Sequence, residues 1–105
     1  MKQNQTLKLA VIGAGYMGQN HIRVLSSMVN VNVVAICDID KEKTERISNQ
    51  YKIKPYNDFK KLLDAEKLDA ISICLPTSFH FEVANTAANK GLAIFIEKPI
   101  CISSK

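Results

Sequence analysis

One glycine-rich stretch limits the fold of this chain more than any other feature of the sequence. Residues 13–18 read G-A-G-Y-M-G, so that glycines recur with the spacing G-x-G-x-x-G. A short apolar run from Leu7 to Ile12 precedes them and predicts a strand that is buried on both faces. Apolar residues three and four positions apart follow from Tyr16 to about Met28 and predict a helix. A strand, a tight turn and a helix in this order are typical of a parallel α/β sheet.

Each of the three glycines has a separate physical task in such a turn. Gly13 permits the tight turn out of the strand, because glycine tolerates backbone angles that other residues avoid. Gly15 has no Cβ atom, so the backbone there can approach a pyrophosphate closely. Gly18 allows the helix to pack tightly on the sheet. The spacing therefore predicts a phosphate-binding turn as well as a fold.

Asp38 completes the pattern expected of a dinucleotide-binding unit. It follows a second apolar run and lies 20 positions after Gly18. A carboxylate at this point can accept hydrogen bonds from the hydroxyls of the adenosine ribose. The first N–H groups of the helix, at Tyr16 and Met17, are predicted to face the phosphates. The alternative is a strand, turn and helix that bind no ligand, and it requires the position of Asp38 to be a coincidence.

Strands and helices continue to alternate after this unit. Asp40 is placed to cap the second helix, and Pro55 suggests that the third strand lies at an edge of the sheet. Gly91 stands where a helix end needs a left-handed residue. This order predicts a doubly wound parallel α/β sheet of the Rossmann type, incomplete at about five strands, in one dinucleotide-binding domain over residues 1–105. The later strands are expected at residues 31–37, 53–56, 70–75 and 92–96, and the later helices at 41–51, 58–64 and after a cap at Thr77 or Ser78.

The composition narrows the range of partners. The chain is 47% hydrophobic and 23% charged, as in an ordinary globular protein. Its net charge of +4 comes from scattered basic residues, and the N-terminal apolar run is too short for a membrane span, so we expect neither nucleic acid nor membrane as a partner. The three cysteines are far apart and include no C-x-x-C pair, which favours a reducing, cytoplasmic setting. No metal site is expected.

Three clusters of residues are expected at the carboxyl ends of predicted strands. They are the glycine turn, residues 76–80 and residues 97–99. In an open parallel sheet, ligands bind at this edge, where the strand order reverses. We therefore expect the three clusters to line one crevice. The histidine outside them, His21, falls on the apolar stripe of the first helix and is expected to pack there rather than to catalyse.

Four segments give the sequence a specific resemblance to a known family. They are G-A-G-Y-M-G-Q-N-H at residues 13–21, C-D-I-D at 37–40, P-T-S-F-H at 76–80 and E-K-P at 97–99. Together they resemble the nucleotide-binding half of the Gfo/Idh/MocA oxidoreductases, over nearly the whole chain. The E-K-P segment after the fifth strand is the discriminating one, because many unrelated Rossmann enzymes have the glycines without it.

The resemblance implies a catalytic lysine and a cofactor loop. The lysine of E-K-P corresponds to Lys98, which would reach the substrate hydroxyl and stabilise alkoxide charge as hydride leaves for the nicotinamide. Glu97 would orient its loop or the nicotinamide ribose. Pro76, Thr77 and His80 belong to the family's loop beside that ribose. From the sequence alone, Lys98 could instead be a solvated lysine before a turn, and His80 could pack at a helix N-terminus.

The resemblance also implies a nicotinamide dinucleotide as cofactor and a sugar, cyclitol or related polyol as substrate. The carboxylate of Asp38 favours NAD because it would repel the 2′-phosphate of NADP, although Lys41 and Lys43 lie close enough to leave NADP open. Members of the family carry a second, substrate-binding domain, which usually forms the oligomer interface and has no counterpart in this sequence. We therefore expect a fragment or a truncated product that binds NAD and is inactive by itself.

Two other interpretations stay open. The chain could be a non-enzymatic dinucleotide-binding module, or a redox-responsive partner of another protein, that is functional at this length. It could also be the cofactor domain of a different dehydrogenase, in which case Lys98 would take no part in the reaction. The identity of the substrate is not encoded here, because the residues that would select it belong to the other domain.

Overall fold

The computed structural model describes residues 6–75 and 80–96, in which strands and helices alternate. Each predicted element within these ranges is present, and its ends lie within two residues of the prediction. Within these described ranges, no helix is long and apolar enough to cross a membrane. The strands are β1 (Leu7–Ile12), β2 (Val31–Cys37), β3 (Lys54–Tyr56), β4 (Ala70–Ile73) and β5 (Ala93–Ile96). The helices are α1 (Tyr16–Ser26), α2 (Lys41–Tyr51), α3 (Phe59–Ala65) and α4 (His80–Asn89).

The five strands form one parallel sheet in the order β3-β2-β1-β4-β5. β1 lies at the centre, where it pairs with β2 on one side and with β4 on the other. From β1 the chain continues through β2 to β3 at one edge of the sheet, and from β4 it continues to β5 at the other edge. The strand order therefore reverses between β1 and β4. This topology confirms the predicted doubly wound sheet. Its carboxyl edge at β1 and β4 is where such sheets bind ligands.

β3 lies at the edge of the sheet, as Pro55 predicted. It pairs in parallel with β2, with Pro55 opposite Ile36. Proline has no N–H to donate to a further strand, so it is tolerated at an edge and would weaken a central position. The short β3 nevertheless carries the chain to the carboxyl edge, because Tyr56 lies opposite Cys37, the last residue of β2.

Apolar side chains fill a layer on each face of the sheet. One cluster packs between the sheet and the helices α3 and α4, and a smaller one packs between the sheet and α1 and α2. Helices on both faces are what the continuous apolar runs of β1 and β2 require, because such strands have no face suited to water. The buried residues of the first cluster are Ala10, Ile12, Ala35, Cys37, Leu62, Leu63, Ile71, Ile73, Val83 and Ala87. Those of the second are Val11, Ala14, Ile22, Val33, Ile36 and Ile47.

The ends of the helices follow ordinary capping chemistry. Asp40 caps α2, because its Oδ1 atom accepts the backbone N–H of Lys43 at 3.2 Å, as predicted. Gly91, with φ of +77°, supplies the left-handed residue after α4 that the sequence predicts. The end of α2 is unexpected, because the left-handed residue there is Lys52, with φ of +61°.

Candidate functional site

The turn after β1 depends on two glycines that no larger residue could replace without displacing backbone. At Gly13 φ is +114°, and a Cβ atom would lie 2.5 Å from the carbonyl oxygen of Cys74. At Gly18, in the first turn of α1, a Cβ atom would lie 1.8 Å from the carbonyl oxygen of Gly13. Gly13 also donates its N–H to the carbonyl oxygen of Cys37 at 2.7 Å, which ties the turn to β2. The helix can therefore start this close to the sheet only with glycine at both positions.

Gly15 differs from these two glycines because nothing in the described part of the chain requires it. Its φ of −77° and ψ of −165° are accessible to any residue, and an added Cβ atom would meet no atom of the residues that the structure describes within 4 Å. Gly15 is the N-cap of α1, where a serine or aspartate side chain would also satisfy a backbone N–H of the first turn. The advantage of glycine at this position is therefore access to the space beside it, since neither strain nor packing demands it.

The start of α1 offers backbone donors at the surface. Gly15 makes no side-chain cap, and the first turn contains no acidic residue. The first N–H groups of the helix therefore have no acceptor within the helix. Tyr16 is 92% exposed and Met17 is 37% exposed, so this turn faces solvent. Free N–H groups and the positive end of the helix dipole together favour an anion at this end of α1.

Asp38 extends from the end of β2 to the glycine turn. Its Oδ2 atom accepts the backbone N–H of Ala14 at 2.7 Å, and its Oδ1 atom accepts the backbone N–H of Asp40 at 2.8 Å. The half-buried carboxylate is thus held against the residue that precedes Gly15. An ionised carboxylate has about four lone-pair positions, so each oxygen of Asp38 can accept a further hydrogen bond from a ligand hydroxyl.

A cavity of about 260 Å³ adjoins Asp38. It lies where β1 and β2 end and where the segment after β3 begins, so it is at the same edge of the sheet as the glycine turn. Ile39, which is 91% exposed, forms part of its rim. Apolar walls with a few polar groups suit a flat heterocyclic ring. The cavity is lined by Ile12, Cys37, Asp38, Ile39, Asn57, Asp58, Phe59 and Leu75.

Cys37 lies behind this cavity and is not a reactive thiol. Burial raises the pKa of Cys37 to about 12, and the negative charges of Asp38 and Asp58 add to the effect. The thiol therefore stays protonated at neutral pH, whereas nucleophilic cysteines need a lowered pKa. Its side chain contributes packing to the first cluster of the core.

A larger cavity of about 610 Å³, which we call the apolar groove, lies toward the amino ends of the strands. His21 borders it, and the Nδ1 atom of His21 lies 2.8 Å from the Oγ atom of Ser72. This contact agrees with the packing role expected for His21. We do not assign the cofactor to the apolar groove, because neither the glycine turn nor Asp38 lines it. The groove is lined by Leu7, Leu9, His21, Leu25, Met28, Val31, Ser72, Ile94 and Phe95.

Part of the predicted site lies outside the described residues. β4 and β5 run in register, with Ile73 opposite Ile96, so both strands end at the carboxyl edge that carries the glycine turn. His80 is the first residue of α4, and nothing is described of its side chain. The predicted residues that lie outside the described ranges are Pro76, Thr77, Glu97 and Lys98.

One residue beside Asp38 was not anticipated from the sequence. Asn57 follows β3, and its Nδ2 atom donates to the backbone carbonyl oxygen of Asp38 at 2.7 Å. The available signal was its position, because the residue after a parallel strand lies at the carboxyl edge. The predicted third strand already ended at Tyr56, so the rule that marked residues 76–80 and 97–99 applied to Asn57 as well.

Known proteins resemble this chain in both sequence and fold. The solved myo-inositol 2-dehydrogenase of Lactobacillus plantarum matches 94% of the chain with a TM-score of 0.83 and 35% identity, over 30% of its own length. An oxidoreductase of Agrobacterium radiobacter, solved with NAD+, L-tartaric acid and magnesium, matches 94% of the chain with a TM-score of 0.85 and 25% identity, over 29% of its own length. The inositol 2-dehydrogenase of Salmonella typhimurium is 33% identical over 102 residues, which are 94% of this chain and 30% of the relative.

The family assignment follows from these matches and from the site. The chain spans about 30% of the length of the relatives that it matches. The model of an oxidoreductase family with an NAD-binding Rossmann fold, Gfo/Idh/MocA, matches residues 7–105. This match includes the glycine turn, Asp38 and the whole parallel sheet. The chain therefore belongs to the Gfo/Idh/MocA oxidoreductase family and contains its NAD-binding Rossmann fold.

Proposed function

We propose that residues 1–105 are the dinucleotide-binding domain of an oxidoreductase that transfers hydride between NAD and a sugar, cyclitol or related polyol. The observation that carries the binding part is the open space at Gly15 beside the carboxylate of Asp38. The substrate class is supported by the two relatives named as inositol dehydrogenases. Because the chain spans about 30% of their length, we expect the residues that select the substrate in the remainder of a full-length protein.

In this proposal the cofactor lies along the carboxyl edge of the sheet. Its pyrophosphate approaches Gly15 and accepts hydrogen bonds from the N–H groups at the start of α1, near Tyr16 and Met17. The ribose hydroxyls of the adenosine half donate to the carboxylate of Asp38. The adenine ring enters the cavity beside Asp38, where the exposed side chain of Ile39 can cover one face of it.

We expect NAD rather than NADP as the cofactor. The two backbone N–H groups of Ala14 and Asp40 hold the carboxylate of Asp38 in place, so it cannot easily turn away from a ligand. A 2′-phosphate on the adenosine ribose would bring a second negative charge next to it. Lys41 and Lys43 could offset part of this repulsion, so the preference is one of degree.

The catalytic part of the proposal rests on the E-K-P segment. When bound, NAD supplies the nicotinamide that accepts or returns the hydride. The ammonium group of Lys98 reaches the substrate hydroxyl and stabilises the negative charge that develops on its oxygen. Glu97 orients the loop or the nicotinamide ribose. Pro76, Thr77 and His80 contact the cofactor near that ribose.

The 105-residue chain is expected to bind NAD weakly and to turn over no substrate by itself. We also propose a cytoplasmic location, since the three cysteines are far apart in the sequence and include no C-x-x-C pair. Assembly into a homo-oligomer would depend on the remainder of a full-length protein, because that is where members of the family usually associate.

The first prediction tests cofactor binding through Gly15. We expect Gly15→Ala to weaken NAD binding about tenfold or more, because the new methyl group occupies the space that the pyrophosphate needs. The same change should move the melting temperature little, since the gain of about 0.4–1 kcal/mol from replacing glycine at a compatible position is offset by alanine being a poorer N-cap than glycine. Calorimetric titration with NAD and a thermal melt of the same 105-residue samples measure both quantities.

Gly18→Ala is the contrasting variant, because its methyl group would collide with the carbonyl oxygen of Gly13. We expect this variant to lose stability, by about 3 kcal/mol if the helix start shifts to accept the methyl group. Absence of NAD binding in a folded wild-type chain would refute the proposed function. Wild-type affinity in Gly15→Ala would show that the cofactor does not lie against this turn.

The second prediction tests the catalytic role of Lys98 in the full-length gene product. We expect Lys98→Ala to lower kcat about 10²- to 10³-fold, the usual cost of removing one group that stabilises charge in the transition state. The affinity for NAD should change little, because the lysine acts on the substrate. Steady-state rates of NADH formation from inositols and sugars provide the measurement, and Lys98→Arg keeps the charge as a control. Unchanged turnover in Lys98→Ala would remove this residue from the reaction and favour a different type of dehydrogenase.

A further inference from the structure

Asn57 occupies an exposed position between β3 and the N-cap of α3, yet its side chain is directed into a specific set of contacts. The Nδ2 atom of Asn57 donates to the backbone carbonyl oxygen of Asp38 at 2.7 Å. The same atom donates to the Oγ1 atom of Thr44 at 3.1 Å. An amide nitrogen carries two hydrogens, so both donors are used.

These contacts hold Asp38 from its backbone side. The N–H of Asp38 donates to the carbonyl oxygen of Tyr56 at 3.1 Å, which continues the pairing of β2 with β3 beyond the end of the sheet. Asn57 then binds the carbonyl oxygen of the same residue. The carboxylate of Asp38 meanwhile accepts the N–H groups of Ala14 and Asp40. Asp38 is thus fixed by the turns that follow β1, β2 and β3 together.

Thr44 gives this arrangement a rigid anchor. It is fully buried in the first turns of α2. Its hydroxyl donates to the carbonyl oxygen of Lys41 at 3.0 Å and accepts from Asn57. A buried threonine has little rotational freedom. Asn57 therefore connects the turn that carries Asp38 to a side chain that is fixed on α2.

We propose that Asn57 is a positioning residue for cofactor recognition, which holds the turn of Asp38 so that its carboxylate meets the adenosine ribose of NAD. The inference rests on the proposed function, because it assumes that Asp38 binds this ribose. Asn57 acts through Asp38 and need not touch the cofactor. Its exposed side chain is not required for packing, and its two hydrogen bonds serve to orient the neighbouring turn.

The effect of losing Asn57 should differ between the two nicotinamide cofactors. NAD gains from a carboxylate fixed at the ribose hydroxyls, so a mobile Asp38 weakens its binding. NADP gains nothing from that carboxylate, because its 2′-phosphate is repelled by it. A mobile Asp38 can move away from the phosphate and relieve the repulsion. The ratio of the two dissociation constants therefore reports on the position of Asp38 rather than on general stability.

The third prediction is a change in this ratio in Asn57→Ala of the 105-residue chain. We expect NAD binding to weaken about tenfold, on the scale of one lost hydrogen bond, while NADP binding changes less than about twofold. Calorimetric titration of NAD and NADP into the same samples gives both dissociation constants. Asn32→Ala is the matched control, because Asn32 is exposed near the amino end of β2, away from the glycine turn. This control should leave both constants unchanged.

The outcomes separate the inference from the function on which it rests. If the folded wild-type chain binds no NAD, the proposed function fails, and the role of Asn57 fails with it. If the wild-type chain binds NAD and the ratio is unchanged in Asn57→Ala, only the positioning role is refuted. Equal weakening of NAD and NADP would also refute it, since that result indicates direct contact with the adenine. Asn57→Ser removes both amide donors and keeps a polar turn residue, so it provides the same test if Asn57→Ala does not fold.

Discussion

At the scale of single residues, Tyr56 gives the folded chain a measurable dependence on pH. Its hydroxyl donates to the Oε2 atom of Glu66 at 2.5 Å, which joins the end of β3 to the end of α3. Burial raises the pKa of Tyr56 to about 12 from an ordinary value of 10.0, and the hydrogen bond to Glu66 and its negative charge add to the effect. The fourth prediction is that the contribution of Tyr56 to the free energy of unfolding is lost as the pH rises from about 10 to about 12.

The sign follows from which state releases the proton first. The unfolded chain ionises this tyrosine near its ordinary pKa, whereas the folded chain retains the proton until about pH 12. Within that range ionisation lowers the free energy of the unfolded state but not that of the folded state, so the free energy of unfolding falls. The contribution is intact below pH 10. Urea unfolding at several alkaline pH values should show a weaker fall in Tyr56→Phe than in the wild type. Equal slopes for the two chains would contradict the prediction.

At the scale of secondary-structure elements, the sequence predicts an element well where a local rule sets it. Asp40 and Gly91 could be assigned to helix ends because a carboxylate cap and a left-handed glycine each have a local chemical reason. Lys52 could not be assigned, because lysine has no preference for the left-handed backbone and takes it only where the chain must turn from α2 into β3. The connection is closed by hydrogen bonds from the N–H groups of Lys52 and Ile53 to the carbonyl oxygen of Ser48, at 2.8 Å and 3.2 Å.

The candidate site shows the same division between local and non-local information. The glycines and Asp38 are recognisable in sequence because their spacing reflects one continuous strand, turn and helix. The hydrogen bonds from Asn57 to Asp38 and Thr44 join residues 19 and 13 positions apart. No periodicity in the sequence encodes them, because they depend on the pairing of β2 with β3. The residues that could contact a ligand are therefore partly predictable, whereas those that orient them need the structure.

At the scale of the whole molecule, the topology of the strands could be predicted from the sequence. Which parts of the sheet the helices leave uncovered could not. Alternating strands and helices with right-handed crossovers leave few arrangements other than a doubly wound sheet. An apolar stripe indicates that an element is buried on one side, but it does not indicate which neighbour covers it. The apolar groove lies between α1 and the β1, β4 and β5 part of the sheet, and Met28 and Phe95 on its walls are 49% and 54% exposed. Part of the apolar surface of the groove is therefore accessible to solvent.

The fifth prediction concerns this apolar groove. We expect the 105-residue chain to bind an apolar fluorescent dye such as anilinonaphthalene sulfonate in its native state. The groove has a volume of about 610 Å³, and its walls are mostly apolar and accessible. Phe95→Lys should lower the dye fluorescence severalfold, since it places a charge on the wall of the groove. Phe81→Lys is the matched control, because Phe81 is 80% exposed on α4 and does not line the groove. Because the groove and the glycine turn are separate, both variants should keep the NAD affinity of the wild type. Equal dye fluorescence in the two variants would show that the dye binds elsewhere, and a loss of NAD affinity in Phe95→Lys would show that the groove and the cofactor site are coupled through the sheet.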